Sequence, residues 1–206
     1  MSARGGGGGR WAAIYSGGMA DRPRPSSEPA VRVRSAQVSD IEAILAIARS
    51  WAVEGRTEQE LSHTGFLVSD FDAAAYHKLL TASRFAYVAE HDGRVVGFLI
   101  GYAGDQAEMM GDYTATKTAE KLGPFVVCKQ IAVARPDANR GIGKILYRHL
   151  IAQLEPGQDL IAAVVDDPPN VRSQRMHRDL GFVPVFQIQH PDGRSRTVWR
   201  YSRSGG

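Results

Sequence analysis

The segment that most restricts the fold of this chain is an apolar run, VVCKQIAV, that passes through ARPDANRGIGK into an amphipathic stretch. The run has the length and β-branched content of a strand. Beyond the loop, Ile142, Ile145, Leu146, Leu150 and Leu154 recur at helical spacing until Pro156 and Gly157 end the pattern. A strand, a glycine-bearing loop and a helix in that order, followed by the second strand-like run DLIAAVV, describe a mixed α/β protein.

The rest of the chain supplies hairpins and helices around that unit. VRVRSA reads as a first strand, and SDIEAILAIARSW as a helix with a capping box between Ser39 and Glu42. Residues 52–68 are polar and mixed, and SDFDAAAYHKLLTAS reads as a helix starting near Ser69 or Asp70. FAYVAE and VVGFLIGYA flank an Asp-Gly turn and so form an antiparallel pair. A modest helix, TATKTAEKL, ends at Gly123. VRSQRMHRDL is a further short helix, and FVPVFQIQ with RTVWRYS closes the chain as a hairpin.

Residues 1–30, with five consecutive glycines and then ADRPRPSSEPA, cannot bury enough apolar surface to offset ordering entropy and are expected to be a disordered tail. The apolar cluster WAAIY is too short for a secretory core, and Met19 is an alternative start to Met1. Residues 31–203 are expected to form one domain. No stretch of the 206 residues approaches the roughly 20 apolar residues of a membrane helix. With one cysteine, Cys128, there is neither an intramolecular disulfide nor a cysteine metal cluster, which suits a reducing cytoplasmic setting. A formal charge of +3, carried largely by arginines near the two ends, is too thin to indicate a nucleic-acid partner, and salt-dependent binding through the basic tails is the reading set against it.

The loop invites three phosphate-binding readings. A P-loop needs Gly-x-x-x-x-Gly-Lys-Ser/Thr, and with Gly143 and Lys144 aligned the outer positions are Ala138 and Ile145, so it fails. A dinucleotide fingerprint fails because Gly141 and Gly143 are followed by Leu146. The third reading needs only main-chain N–H groups at a helix start, with Arg140 and Lys144 offsetting the anion's charge. On the loop alone, a tight strand-to-helix turn without ligand stays open beside it.

The loop together with the downstream pattern N-x-x-S-x-x-M-H-x-x-x-G-F resembles the GNAT superfamily of acyl-CoA-dependent N-acetyltransferases. The family's Gln/Arg-x-x-Gly-x-Gly/Ala loop falls on Ala138, Asn139, Arg140, Gly141, Ile142 and Gly143, with only its first position missing. Asn170, Ser173, His177 and the pair Gly181 and Phe182 stand where the family has an Asn, a small residue, a Tyr and Gly-Phe.

The resemblance implies a central mixed, mostly antiparallel sheet of about seven strands flanked by helices. It implies acetyl-CoA as acyl donor, without a metal. Its pantetheine would pair with the backbone of Ile131, Ala132 and Val133, and its phosphates would meet Asn139, Arg140, Gly141, Ile142, Gly143 and Lys144, with Asn170 nearby. Transfer to a primary amine needs a general base and a general acid. His177 takes the place of the family's acidic Tyr, and Glu90 and Asp166, with Asp167 beside it, are the candidate bases. An acyl-enzyme on Cys128 is disfavoured, since the resemblance implies direct transfer. The acceptor would be a small-molecule or peptide amine, chosen by residues 52–68, 103–123 and the last hairpin. The acidic residues Glu54, Glu58, Glu60, Asp105, Glu108 and Asp112 there would suit a cationic amine. Trp199 and Tyr201 are candidates for the acceptor pocket or a homodimer seam, beside ordinary core packing. The alternative function is a non-catalytic acyl-CoA-binding regulatory module, for which the missing Gln/Arg and Tyr argue.

Overall fold

A computed structural model describes residues 31–203. The expected tail, residues 1–30, lies outside the described residues. Seven strands form one sheet in the order β1-β2-β3-β4-β5-β7-β6: β1 Arg32–Ser35, β2 Phe85–His91, β3 Arg94–Ala103, β4 Phe125–Val133, β5 Asp159–Val165, β6 Val183–Gln189 and β7 Ser195–Ser202. All neighbours are antiparallel except β4 and β5. The helices are α1 Ile41–Arg49, α2 Glu58–Thr64, α3 Ala73–Ala82, α4 Tyr113–Ala119, α5 Ile142–Ala152 and α6 Val171–Asp179. The mixed, mostly antiparallel sheet flanked by helices is the architecture expected from the sequence.

Local chemistry explains most boundaries. The β2–β3 hairpin turns on Asp92 and Gly93, both at positive φ, as a tight Asp-Gly turn requires. At the start of α1 the expected Ser39–Glu42 box does not form. Asp40 acts instead, its Oδ2 accepting from the N–H of Gln37 at 2.8 Å while both its oxygens accept from Arg34. Helix α2, in the stretch read as polar and mixed, is started by a Thr57–Glu60 capping box. Helix α3 begins later than expected because Asp72, not Ser69 or Asp70, caps it through the N–H of Ala75 at 2.8 Å.

The sheet's two faces are covered by different helices. One face, with Val126, Cys128, Leu160 and Ala162, packs on α5 through Ile142, Leu146, Tyr147 and Leu150. The other, with Val88, Phe98, Ile100 and Ala132, packs on α1 and α3 through Ile44, Tyr76 and Leu80. The buried apolar side chains of both layers carry the hydrophobic stabilisation of the fold, at about 25 cal/mol per Å² of apolar surface removed from water.

What the topology creates at the centre is a fork. β4 and β5 pair in parallel only from Phe125 to Cys128 against Asp159 to Ala162. Past that point β4 stays on β3 and β5 stays on β7, so the strands diverge. Lys129 sits at the divergence as a bulge, since Gly101 opposes Cys128 and Ile100 opposes Gln130 with no partner for the residue between. Close backbone approach here demands glycine at 101, where a Cβ would lie 2.5 Å from the Val127 carbonyl oxygen.

Candidate functional site

The fork opens into a cavity of about 670 Å³ that runs from the start of α5 and α6 to the last hairpin. Its β4 wall is backbone with unspent hydrogen-bonding capacity. The Ala134 N–H donates to the Val96 carbonyl, so alternation along an antiparallel pair turns Ala132 and Gln130 toward β3 and leaves Ile131 and Val133 facing the open side. The Val133 carbonyl confirms that orientation by accepting from the Trp51 indole Nε1–H at 2.7 Å. Ile131, Ala132 and Val133 all line the cavity. An extended, amide-bearing ligand fits such an edge as an added strand would.

At the far end of that edge lies the glycine loop. Asn139 and Gly141 adopt positive φ of 67° and 80°, and Gly141 is the residue from which α5 starts. The first α5 amide with a backbone acceptor outside the helix interior is Ile145, bonded to the Gly141 carbonyl, so the N–H groups of Ile142, Gly143 and Lys144 before it are those a helix leaves open. Gly143 packs closely on α6, since a Cβ there would sit 3.0 Å from Met176 Sδ. Asn139, Gly141, Ile142, Gly143 and Lys144 line the cavity.

The two cations expected to serve the loop are both paired. Arg140 donates to the buried Asp137 at 2.9 Å and is not part of the lining, while Lys144 lies 2.8 Å from Asp179 in an exposed pair. Arg175, one helical turn before Asp179 and overlooked in the sequence, is exposed, lines the cavity and has no ion-pair partner among the described residues.

Asn170 caps α6 by accepting from the Ser173 N–H at 3.1 Å, and its Nδ2 donates to the Phe66 carbonyl at 3.1 Å. It therefore ties the segment between α2 and α3 across the cavity. Arg172 assists, lying 5.3 Å over the Trp51 ring whose other contact is Arg135 at 4.3 Å. Burial and the charge of Arg135 lower the pKa of Arg172.

His177 is brought to the cavity wall but not as a free acid. The ring is 2% exposed among Tyr147, Phe182 and Trp199. Its Nδ1 lies 2.7 Å from the Ser173 carbonyl, which can only accept, so the proton is on Nδ1 and Nε2 accepts from the Tyr147 hydroxyl at 2.8 Å. Burial pushes its pKa down to about 4 despite the Ser173 carbonyl, so the ring is neutral near pH 7. His177 therefore presents no free N–H to the cleft: Nδ1 is engaged by the Ser173 carbonyl and Nε2 by the hydroxyl of Tyr147, which also lines the cavity. Tyr147 is held protonated by burial, and Cys128 beside it has its thiol pushed up to about 12, also by burial.

The two expected bases lie elsewhere. Glu90 is bound by Arg34 at 2.8 Å in a network with Asp40, at the β1–β2 edge and outside the cavity lining. Asp166 accepts from Thr197 Oγ1 at 2.7 Å and Ser195 Oγ at 3.0 Å, which fixes the end of β5 to β7 rather than serving the cavity. The carboxylate at the fork is Asp112, the N-cap of α4, 6% exposed. Its Oδ2 accepts from Lys129 Nζ at 2.8 Å and from the Tyr102 hydroxyl, and its Oδ1 accepts from the Ala115 N–H at 3.1 Å. Burial alone would raise its pKa, but the charge and hydrogen bond of Lys129, with those of Tyr102 and Ala115, hold it below the ordinary carboxylate value. Among the described residues no group of three or more His, Cys, Asp or Glu side chains is arranged to hold a metal. No described helix is long and apolar enough to cross a membrane.

Solved structures share this architecture. Ard1 from Thermoplasma volcanium superposes with a TM-score of 0.56 at 18% identity, over 84% of this chain and 97% of that one. Naa50 of Arabidopsis thaliana, solved with the bisubstrate analogue CoA-Ac-MVNAL, does so at 0.56 and 14% identity, over 84% and 99%. The Drosophila melanogaster polyamine N-acetyltransferase does so at 0.60 and 15% identity, over 84% and 100%. At those identities the likeness establishes the fold. The profile of the acetyltransferase (GNAT) family matches residues 45–182, a span that contains the fork, the glycine loop, Asn170 and His177, and the chain belongs to that family.

Proposed function

We propose that the protein transfers an acetyl group from acetyl-CoA to a primary amine by direct attack of the amine. The observation that carries this reading is the fork itself: one cavity joins an open strand edge at Ile131 and Val133 to the unpaired amides of the α5 start. The donor supplies a thioester-activated acyl group. The Ile131 and Val133 backbone would hold its pantetheine amides, and the Ile142, Gly143 and Lys144 amides, aided by Arg175, would hold its phosphates. Holding donor and acceptor in line at the fork supplies most of the rate, as positioning does generally. On the acceptor face Asp112 is the carboxylate placed to take a proton from an amine. On the α5 face Tyr147, whose hydroxyl proton is held by His177 Nε2, would have to turn that hydroxyl toward the leaving sulfur to protonate it.

The acceptor reading changes with the structure. Glu54, Glu58, Glu60, Asp105 and Glu108 lie outside the cavity lining, and the two acids on its acceptor side are already paired, Asp112 with Lys129 and Asp192 with Arg196. Among the described residues no carboxylate there is left for a second cation, which favours an acceptor with a single amine, whether a small molecule or a peptide N-terminus, over a polyamine. The test is release of CoA thiol from acetyl-CoA against a panel of monoamines, peptides and polyamines. Turnover confined to polyamines would sink the acceptor reading, and binding of acetyl-CoA with no thiol release from any amine would leave a non-catalytic acyl-CoA-binding module. His177, saturated where the family has an acidic tyrosine, is the observation that favours that second reading.

A further inference from the structure

We infer that Lys129 is a self-acetylation site and that its modification resets the acceptor pocket. The inference rests on the acetyl-CoA reading above and goes beyond it, because it assigns a fate to an amine of the chain itself.

Lys129 is the bulged first residue after β4 and β5 part, so it stands at the fork. Its side chain leaves β4 on the side away from Tyr147. There Nζ lies 2.8 Å from Asp112 Oδ2 and 5.9 Å from the centre of the Phe71 ring, with the side chain 22% exposed and lining the cavity. That is the side from which an acceptor amine would enter. Of the chain's other lysines, Lys78, Lys117 and Lys121 are outside the lining and Lys144 is at the phosphate end. Lys129 is therefore an amine tethered at the reacting end of the cleft, and tethering replaces a bimolecular encounter with an intramolecular one.

The step balances without any further reagent. The ammonium gives one proton to Asp112 Oδ2, already its hydrogen-bond acceptor, and the neutral Nζ forms a bond to the acetyl carbonyl carbon. The carbon–sulfur bond of the thioester breaks. The sulfur leaves with the second proton as CoA thiol, and Asp112 returns its proton to water. The product amide carries no charge, so Asp112 loses its counter-ion while keeping Tyr102 and the Ala115 N–H. A pocket whose carboxylate was spoken for becomes one with a free carboxylate for an incoming ammonium.

The experiment incubates the full chain with acetyl-CoA and no acceptor, follows each lysine by peptide mass spectrometry, and records the melting temperature with and without acetyl-CoA. Lys129 gains one acetyl group about tenfold faster or more than Lys117 and Lys121, which lie outside the cavity lining, at a rate that saturates with acetyl-CoA and does not depend on protein concentration. Lys129→Arg keeps the ion pair and abolishes the fast phase, and Asp112→Asn slows it. If acetyl-CoA raises the melting temperature yet Lys129 reacts no faster than Lys117 and Lys121, the inference is overturned and the donor reading stands. If acetyl-CoA leaves the melting temperature unchanged, the donor reading fails and takes the inference with it.

Discussion

The indole N–H of Trp51 donates to the carbonyl of Val133 at 2.7 Å, joining the end of α1 to the open edge of β4. This bond positions a buried ring that two arginines then stack against. Trp51→Phe keeps most of the packing and removes the donor, so it is expected to cost about 1 kcal/mol, the usual net value of one hydrogen bond, measured by urea unfolding. Trp51→Ala removes the ring as well and is expected to cost about 3–5 kcal/mol.

The loop prediction concerns Gly141. At φ 80° an L-residue meets its own carbonyl, and open space around the Cβ position means that backbone strain is the whole penalty. Gly141→Ala should therefore lower stability by about 1–2 kcal/mol and, by tilting the first α5 amides, weaken acetyl-CoA binding. Calorimetric titration beside thermal unfolding separates the two effects. An unchanged affinity would show that these amides do not hold the phosphates.

His177 makes stability depend on pH. Its folded pKa, about 4, lies below the ordinary histidine value of about 6.5, so between those values the unfolded chain binds a proton that the folded chain does not. Stability from this group is full above about pH 6.5 and is lost as pH falls toward 4, by about 3 kcal/mol over the window. Unfolding free energy measured across that range, with His177→Gln as reference, checks it. A slope of the same size in the variant would mean that other groups are responsible.

Asn170 serves two elements through one side chain. Asn170→Ala removes the α6 cap and leaves the Phe66 carbonyl without its donor. We expect a loss of about 1–2 kcal/mol, with the segment between α2 and α3 showing faster amide exchange.

Features encoded by neighbours in the chain could be read from the sequence: the Asp92–Gly93 turn, the glycine loop and the Asn170 start of α6 all depend on residues a few positions apart. What engages Glu90 and Asp166 is remote from them in the sequence, Arg34 for one and Thr197 with Ser195 for the other. A carboxylate at a strand end looks the same whether or not β7 supplies hydroxyls to it. Asp112 was read only as one of six acidic residues near the acceptor, and its pairing with Lys129 was missed for the same reason, though a signal existed in a lone lysine within the apolar run VVCKQIAV. Such a residue must either bulge out of the strand or find a buried acid, and here it does both. Tyr147 was not among the positions read on the apolar face of α5. Nothing local says that its hydroxyl meets His177, which lies 30 positions on.

The central claim is that the fork holds acetyl-CoA. Thermal unfolding of the protein with acetyl-CoA, and in parallel with ATP and NAD, tests it most directly, because a ligand that binds only the folded state must stabilise it, by about 2.7 kcal/mol at a hundredfold excess over Kd. The account predicts a rise in melting temperature with acetyl-CoA and none with ATP or NAD. No rise with acetyl-CoA, or an equal rise with all three, would contradict it.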